Sequence, residues 1–290
     1  METEDIVLTR YAVFPGIDLV YKDVHRQSYI NEMESSPTAF EISHCREGRM
    51  EYALKDEFCY LAPGDLAIAY QSDVGESFYF PLSHYHGVSI VIDVEKAPPC
   101  LSCFLDDVNV RPANLIQKFS AGGKGYIARS NESIEHIFSE LYRVPDTIKK
   151  GYFKVKILEL LLFLSSLDVE ENETAEHLLS KNQVDLAKAV SQYLTEHMES
   201  RMTLAMLSEV FHVSGTSIKN SFKAMYGVSL YAYIRTQKMQ AAALLLRTTD
   251  RAVSDIAGQF GYDNSSKFAR AFKDVMGASP LGYRRNSRIV

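Results

Sequence analysis

From Thr203 to Arg285 the apolar positions of the chain fall into one pattern twice. Leu204, Leu207, Phe211 and Val213 return 49 residues later as Val253, Ile256, Phe260 and Tyr262. Ile218, Phe222, Lys223, Gly227, Ser229 and Tyr233 return 50 residues later as Phe268, Phe272, Lys273, Gly277, Ser279 and Tyr283. A repeat that absorbs one extra residue in its turn predicts two copies of one supersecondary unit. In each copy a first apolar stripe at i, i+3, i+7 spacing marks a short helix. A break follows, at Val213-Ser214-Gly215 or Tyr262-Asp263-Asn264, and then a second stripe: Ile218, Phe222 and Met225, or Phe268, Phe272 and Val275. Gly227 and Gly277 stop the second helices as C-terminal caps. Helix, tight turn, helix is the helix-turn-helix motif, whose second helix can lie in a DNA major groove. Leu230 to Thr249 holds neither Pro nor Gly. It predicts one connecting helix of about 20 residues, roughly 30 Å long. Successive major-groove faces on one side of B-DNA lie about 34 Å apart, so such a rod could hold two recognition helices in adjacent grooves.

Upstream the period changes. Residues 6–125 read as β-rich, with strands expected at Ala39–Cys45, Arg49–Leu54, Phe58–Leu61, Asp65–Tyr70, Ser77–Phe80 and Gly87–Asp93. Glu47-Gly48 and Ala62-Pro63-Gly64-Asp65 are turn signals. Many short strands predict a small barrel or a double-sheet roll, the class that includes cupins. Residues 130–145 and 150–167 then predict two helices. Ile134, Ile137, Phe138 and Leu141 stripe the first, and Phe153, Ile157, Leu160, Leu161 and Leu164 the second. Leu158 and Leu162 widen that second stripe, so the helix is expected to pack on more than one partner. An acidic polar stretch from Asp168 to Lys181 reads as a linker, and Val184–Met198 as the first helix of the C-terminal domain.

Charge sharpens the division. Of 31 Lys+Arg and 37 Asp+Glu, residues 184–290 hold 14 and 8, a balance of +6. Residues 1–183 hold the remaining 17 and 29, a balance of −12. An acidic domain joined to a basic one suggests that only the second meets a polyanion. The chain opens without a basic or apolar leader, and its longest apolar run, Ile157–Leu164, is broken by Glu159 and too short for a bilayer. No membrane partner and a cytoplasmic location are expected. The four cysteines suggest no disulfide framework.

Residues 184–285 resemble the DNA-binding domain of the AraC/XylS family of transcription regulators. The matching text is Ala243-Leu-Leu-Leu-Arg-Thr-Thr-Asp250, Val253-Ser-Asp-Ile-Ala257, Phe260-Gly-Tyr262, Phe268-Ala-Arg-Ala-Phe-Lys273 and Gly277-Ala-Ser-Pro-Leu-Gly-Tyr-Arg284. The resemblance implies a two-domain α+β protein. Residues 1–125 would be a cupin-like sensor barrel, 126–168 a helical dimerisation segment, 169–183 a linker and 184–290 the DNA-binding domain. It also implies double-stranded DNA, a small-molecule effector, a homodimer through 130–167 and, for an activator, RNA polymerase as partners. The family mostly activates, so an activator is the expectation.

The recognition helices are expected at Gly215–Tyr226 and Ser265–Met276. With the apolar stripes inward, the first presents Thr216, Ser217, Lys219, Asn220 and Lys223. The second presents Ser265, Ser266, Lys267, Arg270 and Lys273. Asn can pair with adenine and Arg with guanine, while later basic residues tend to meet phosphate. Asn220 stands where the family often places Arg, and Lys267 where an aromatic is common.

The competing reading is a cupin-type metalloenzyme with a helical accessory domain. It rests on His84 and His86, which share a strand face at i, i+2. No carboxylate follows within four residues and Phe58–Tyr70 contains no His, so no complete ligand set, no metal, no catalytic residue and no cofactor is expected. Cys100-Leu-Ser-Cys103 is a lone C-x-x-C; unremarkable semi-buried cysteines are its plainer reading, a redox or zinc role the sharper one.

Overall fold

The computed structural model describes residues 5–30, 38–54, 57–72, 77–120, 125–167, 178–200 and 202–287, together with Ser36 and Val169. The chain divides into two compact units, residues 1–181 and 182–290. Of the expected linker 169–183, residues 170–177 lie outside the described residues, as does Asp168.

The first unit is built on strands β1 (Ile6–Phe14), β2 (Ile17–Val24), β3 (Ser28–Ile30), β4 (Ala39–Gly48), β5 (Met50–Leu54), β6 (Glu57–Leu61), β7 (Leu66–Tyr70), β8 (Ser77–Tyr79) and β9 (Tyr85–Asp93). Helices α1 (Cys103–Asp106) and α2 (Pro112–Ser120) follow, then β10 (Tyr126–Ala128), α3 (Glu132–Ser139), a 3-10 turn at Glu140–Arg143, α4 (Lys149–Ser166) and β11 (Leu179–Ser180). One sheet has the order β1-β2-β9-β4-β7-β10; β11-β6-β5 and β3-β8 form two smaller ones. Successive strand residues point to opposite faces. Phe40 and Ile42 of β4, with Leu66 and Ile68 of β7, therefore join one core, which α2, α3 and α4 complete with Leu115, Phe138 and Phe153. Cys45, Ala67 and Ala69 face the other core, with Met50 and Tyr52 of β5 and Phe78 of β8. A sheet covered on both faces reads as near-continuous apolar strands.

The described strands thus make open sheets. The closed barrel offered in the sequence reading is not formed among the described residues, since β1 and β10 stand at opposite edges of the large sheet. Alternation dictates the two faces of a strand but not its partner, so closure was never legible. A second correction concerns residues 103–120, expected within the strand-rich part but helical. Pro112 at the first helical position was the available signal. The expected helices of 130–167 are present, and their apolar stripes lie in the first core: Ile134, Ile137, Phe138 and Leu141, then Phe153, Ile157, Leu160, Leu161 and Leu164.

One ionised pair is buried on the opposite face of the sheet. Lys22 Nζ lies 2.5 Å from Glu41 Oε1, and the hydroxyl of Ser43 donates to the same oxygen at 2.8 Å. Burial alone would raise the Glu41 carboxyl. The Lys22 charge and hydrogen bonds from Lys22, Ser89 and Ser43 outweigh it and hold the group down to about 2.

The second unit is all-helical: α5 (Lys181–Glu196), α6 (Leu204–Phe211), α7 (Gly215–Tyr226), α8 (Leu230–Thr248), α9 (Val253–Gln259), α10 (Ser265–Met276) and α11 (Pro280–Ser287). It holds the sequence duplication as two half-cores. Leu207, Ile218, Phe222, Met225 and Tyr233 are buried in the first half, while Met239, Ile256, Phe260, Phe268 and Phe272 form the second.

Candidate nucleic-acid interface

The two copies repeat in geometry as well as in letters. Helices α7 and α10 are each 12 residues long. Ser214 caps α7 by accepting the Ser217 N–H, and Asn264 caps α10 by accepting from Ser266 and Lys267. Such caps satisfy the orphan N–H groups of a first turn. At the far ends Gly227 and Gly277 both adopt φ 75°, and their N–H groups donate to Lys223 O and Lys273 O. A left-handed C-cap of this kind suits glycine, which has no Cβ to clash. Next, Ser229 caps α8 by accepting from Ala232, and the Ser279 hydroxyl accepts from Gly282 at the start of α11. The ring of Phe222 meets Tyr233 edge-on at 5.2 Å and 73°; the ring of Phe272 meets Tyr283 at 5.5 Å and 78°. The chain places each recognition helix by the same three devices: a polar N-cap, a glycine stop and an aromatic pair to the next helix.

With those stripes buried, the opposite face of each helix is free. Thr216, Ser217, Lys219, Asn220 and Lys223 are all exposed on α7. Ser265, Ser266, Lys267, Arg270 and Lys273 are all exposed on α10. Among these the two copies offer Lys223 and Lys273 at equivalent places, and Asn220 opposite Arg270 in the repeat. Helix α8 between them runs 19 residues, Leu230–Thr248, about 28 Å at about 1.5 Å per residue. Lys238, on α8, donates to Phe260 O at 2.9 Å, so its ammonium ties α8 to the end of α9. Burial lowers the pKa of this lysine. Arg235 pairs with Asp274 of α10 at 2.5 Å, and Arg284 donates to Leu246 O in the last turn of α8 and to Arg251 O between α8 and α9. These cations are engaged within the unit, which separates them from the exposed set on α7 and α10.

The family described as a helix-turn-helix domain matches residues 207–286, a span that covers both recognition helices. The C-terminal unit is an AraC-type helix-turn-helix domain. The chain is 28% identical over 206 residues to an HTH-type transcriptional regulator, YtdP, of Bacillus subtilis, covering 68% of this chain and 26% of that one. It is 24% identical over 157 residues to the arabinose operon regulatory protein of Escherichia coli, covering 54% of each. Among solved structures it is similar to the C-terminal domain of the response regulator AraT from Geobacillus stearothermophilus, with 32% identity over 35% of this chain and 84% of that one, at a TM-score of 0.34. The chain thus spans between about a quarter and about half of the length of the two curated relatives.

Outside the AraC-type domain, His84 and His86 flank the start of β9, and the structure brings a third imidazole to them. His25 lies just beyond β2, with its ring centroid 5.3 Å from each of theirs. No local spacing in the sequence pointed to it. The cysteines do not assemble: Cys45 and Cys59 are buried, whereas Cys100 and Cys103 are exposed, and all four are free thiols. No helix among the described residues is long and apolar enough to cross a membrane.

Proposed function

We propose that the protein is a sequence-specific transcription regulator that sets α7 and α10 in two adjacent major grooves of double-stranded DNA. The observation that carries this reading is the repetition of caps, glycine stops and aromatic pairs around two equal helices with polar, basic outer faces. The spacer of about 28 Å is close to the groove repeat of about 34 Å. Binding to DNA upstream of its own gene, read by gel shift and by methylation protection of guanine N7, should show two protected patches one helical turn apart. Protection of a single groove would overturn the two-reader arrangement.

The first unit would serve as sensor and dimerisation part, a cupin-like module in an open form. In support, it contains a cavity of about 560 Å³ lined by His44, Arg46, Glu135, Tyr142, Arg143 and Tyr152, among others. His44 is 3% exposed, and its Nε2 has no hydrogen-bond partner among the described residues. A pocket lined by one idle buried imidazole nitrogen, two guanidinium groups and the carboxylates of Glu135 and Glu140 suits a small polar effector. Effector binding would bias the pairing of the two DNA-binding units in a dimer, and an activator would then meet RNA polymerase from the cytoplasm. The metalloenzyme reading has less behind it. The relatives are regulators by name, and the histidines stand half-exposed at a sheet end rather than in a water-excluding cleft.

A further inference from the structure

The geometry points to a binding site for one divalent transition-metal ion of the zinc class, formed by His25, His84 and His86 at one end of the large sheet. Three neighbouring strands build it. Across β2 and β9, Asp23 stands opposite His86, and across β4 and β9, Glu47 stands opposite His86. The strand ends therefore deliver three imidazoles and two carboxylates to one spot from positions far apart in sequence. One potential ligand atom from each histidine lies within 4.8 Å of the others.

The ring nitrogens are sorted as a metal requires. His25 Nδ1 and His84 Nδ1 face each other at 3.5 Å. Two nitrogens bound about 2.05 Å from one tetrahedral zinc stand about 3.4 Å apart, so this pair needs almost no adjustment. The other nitrogen of every ring is turned to a carboxylate. His25 Nε2 is 2.9 Å and His86 Nδ1 3.3 Å from Asp23 Oδ1, and His84 Nε2 is 3.6 Å from Glu47 Oε2. That leaves His86 Nε2 as the third ligand. Carboxylates behind ligating imidazoles set their tautomer and raise their basicity. Asp23 Oδ1 is buried, and no hydrogen bond of regular geometry from the described residues reaches it; a cation drawing the two imidazoles into line would satisfy it.

The backbone independently protects the spot. Gly48, at φ 83°, lies so close to the loop before β9 that a Cβ there would stand 1.9 Å from His84 O. Only glycine lets β4 close on His84. The rings are 50%, 39% and 29% exposed for His25, His84 and His86, which gives an ion an open path and a fourth position for water. Imidazole suits zinc, copper and nickel and is a poor match to calcium or magnesium.

The test uses the full chain, stripped with chelator, titrated with zinc chloride by calorimetry, and examined with cobalt(II) in the visible spectrum. One zinc per chain is expected, with tetrahedral cobalt bands and no thiolate charge-transfer band. His84→Ala/His86→Ala should weaken binding at least 100-fold, and Asp23→Asn 10–100-fold as an outer-shell change. His25→Ala, beyond the strand end, guards against loss of folding in the double variant. Cys100→Ser/Cys103→Ser should bind as the wild type does. Absence of stoichiometric binding, wild-type affinity in His25→Ala, or loss of binding in the cysteine variant would each overturn the site.

Discussion

At the scale of single residues, exposure separates the cations that can reach DNA from those already used. Arg270 and Lys273 are exposed on α10, whereas Arg284 is held by the carbonyls of Leu246 and Arg251. Arg270→Ala is expected to cost about 1–3 kcal/mol of operator affinity and to relax one base position. Lys273→Ala should weaken all sequences alike and lower the salt slope by about one. Equal operator affinity of wild type and Arg270→Ala at fixed salt would remove Arg270 from the interface. A second residue, His44, has a pH signature. Burial depresses its pKa from 6.5 to about 4, and its ring stacks on Phe138 at 4.2 Å. The folded state refuses a proton that the unfolded chain accepts, so stability falls as pH drops from 6.5 towards 4 and this contribution levels off below. At about 1.4 kcal/mol per unit the loss is roughly 3 kcal/mol at most. Urea unfolding at pH 7 and pH 5 should show that slope in wild type and a shallower one in His44→Gln.

At the scale of elements, the turn of each helix-turn-helix needs one left-handed residue, and the two copies solve this differently. The second uses Gly261 at φ 79°; the first uses His212 at φ 53°. A left-handed non-glycine residue costs about 1–2 kcal/mol, and glycine returns about 0.5–1 kcal/mol of that as unfolded-chain entropy. His212→Gly should therefore stabilise by about 0.5 kcal/mol, and Gly261→Ala should destabilise by a similar amount. Thermal melts in which both shifts had the same sign would refute the account. The same elements show what the sequence discloses. Both recognition helices were legible to the residue, because Ser214, Asn264, Gly227 and Gly277 punctuate them locally and the repeat checks each boundary against its copy. The sheets were legible as strands but not as partners. Most of β4 to β9 could be read from β-rich runs, yet the order β2-β9-β4-β7 joins residues dozens of positions apart. His25 was missed for that reason: its neighbours His84 and His86 stand at the start of a strand that begins with Tyr85, and His84 comes 59 residues after His25. The cavity around Arg46, Tyr142 and Arg143 was equally hidden, since it joins the β4 end to the 3-10 turn.

At the scale of the whole molecule, two units with separate cores and opposite charge balance leave one question, how two chains would pair. Helix α4 carries more apolar surface than its own core consumes. Phe153, Ile157, Leu160, Leu161 and Leu164 face inward, while Val155 is 60% and Leu162 38% exposed. Spaced i, i+7, these two share an outer face, with half-buried Leu158 between them. A helix apolar on two sides is expected to pack twice, and a second copy of α4 across a two-fold axis is the occupant we propose. Pairing two DNA-binding units turns the second contact with DNA into an intramolecular step, worth 10²–10⁴-fold in avidity when the geometry allows both to engage. Val155→Glu/Leu162→Glu changes only exposed positions and leaves the core untouched. Ultracentrifugation of the full chain at tens of micromolar should show a dimer for wild type and a monomer for this variant. Operator affinity should fall by about 100-fold or more, while binding to a single half-site stays unchanged. A wild type that sediments as a monomer, or a variant that still dimerises, would place the contact elsewhere or remove it.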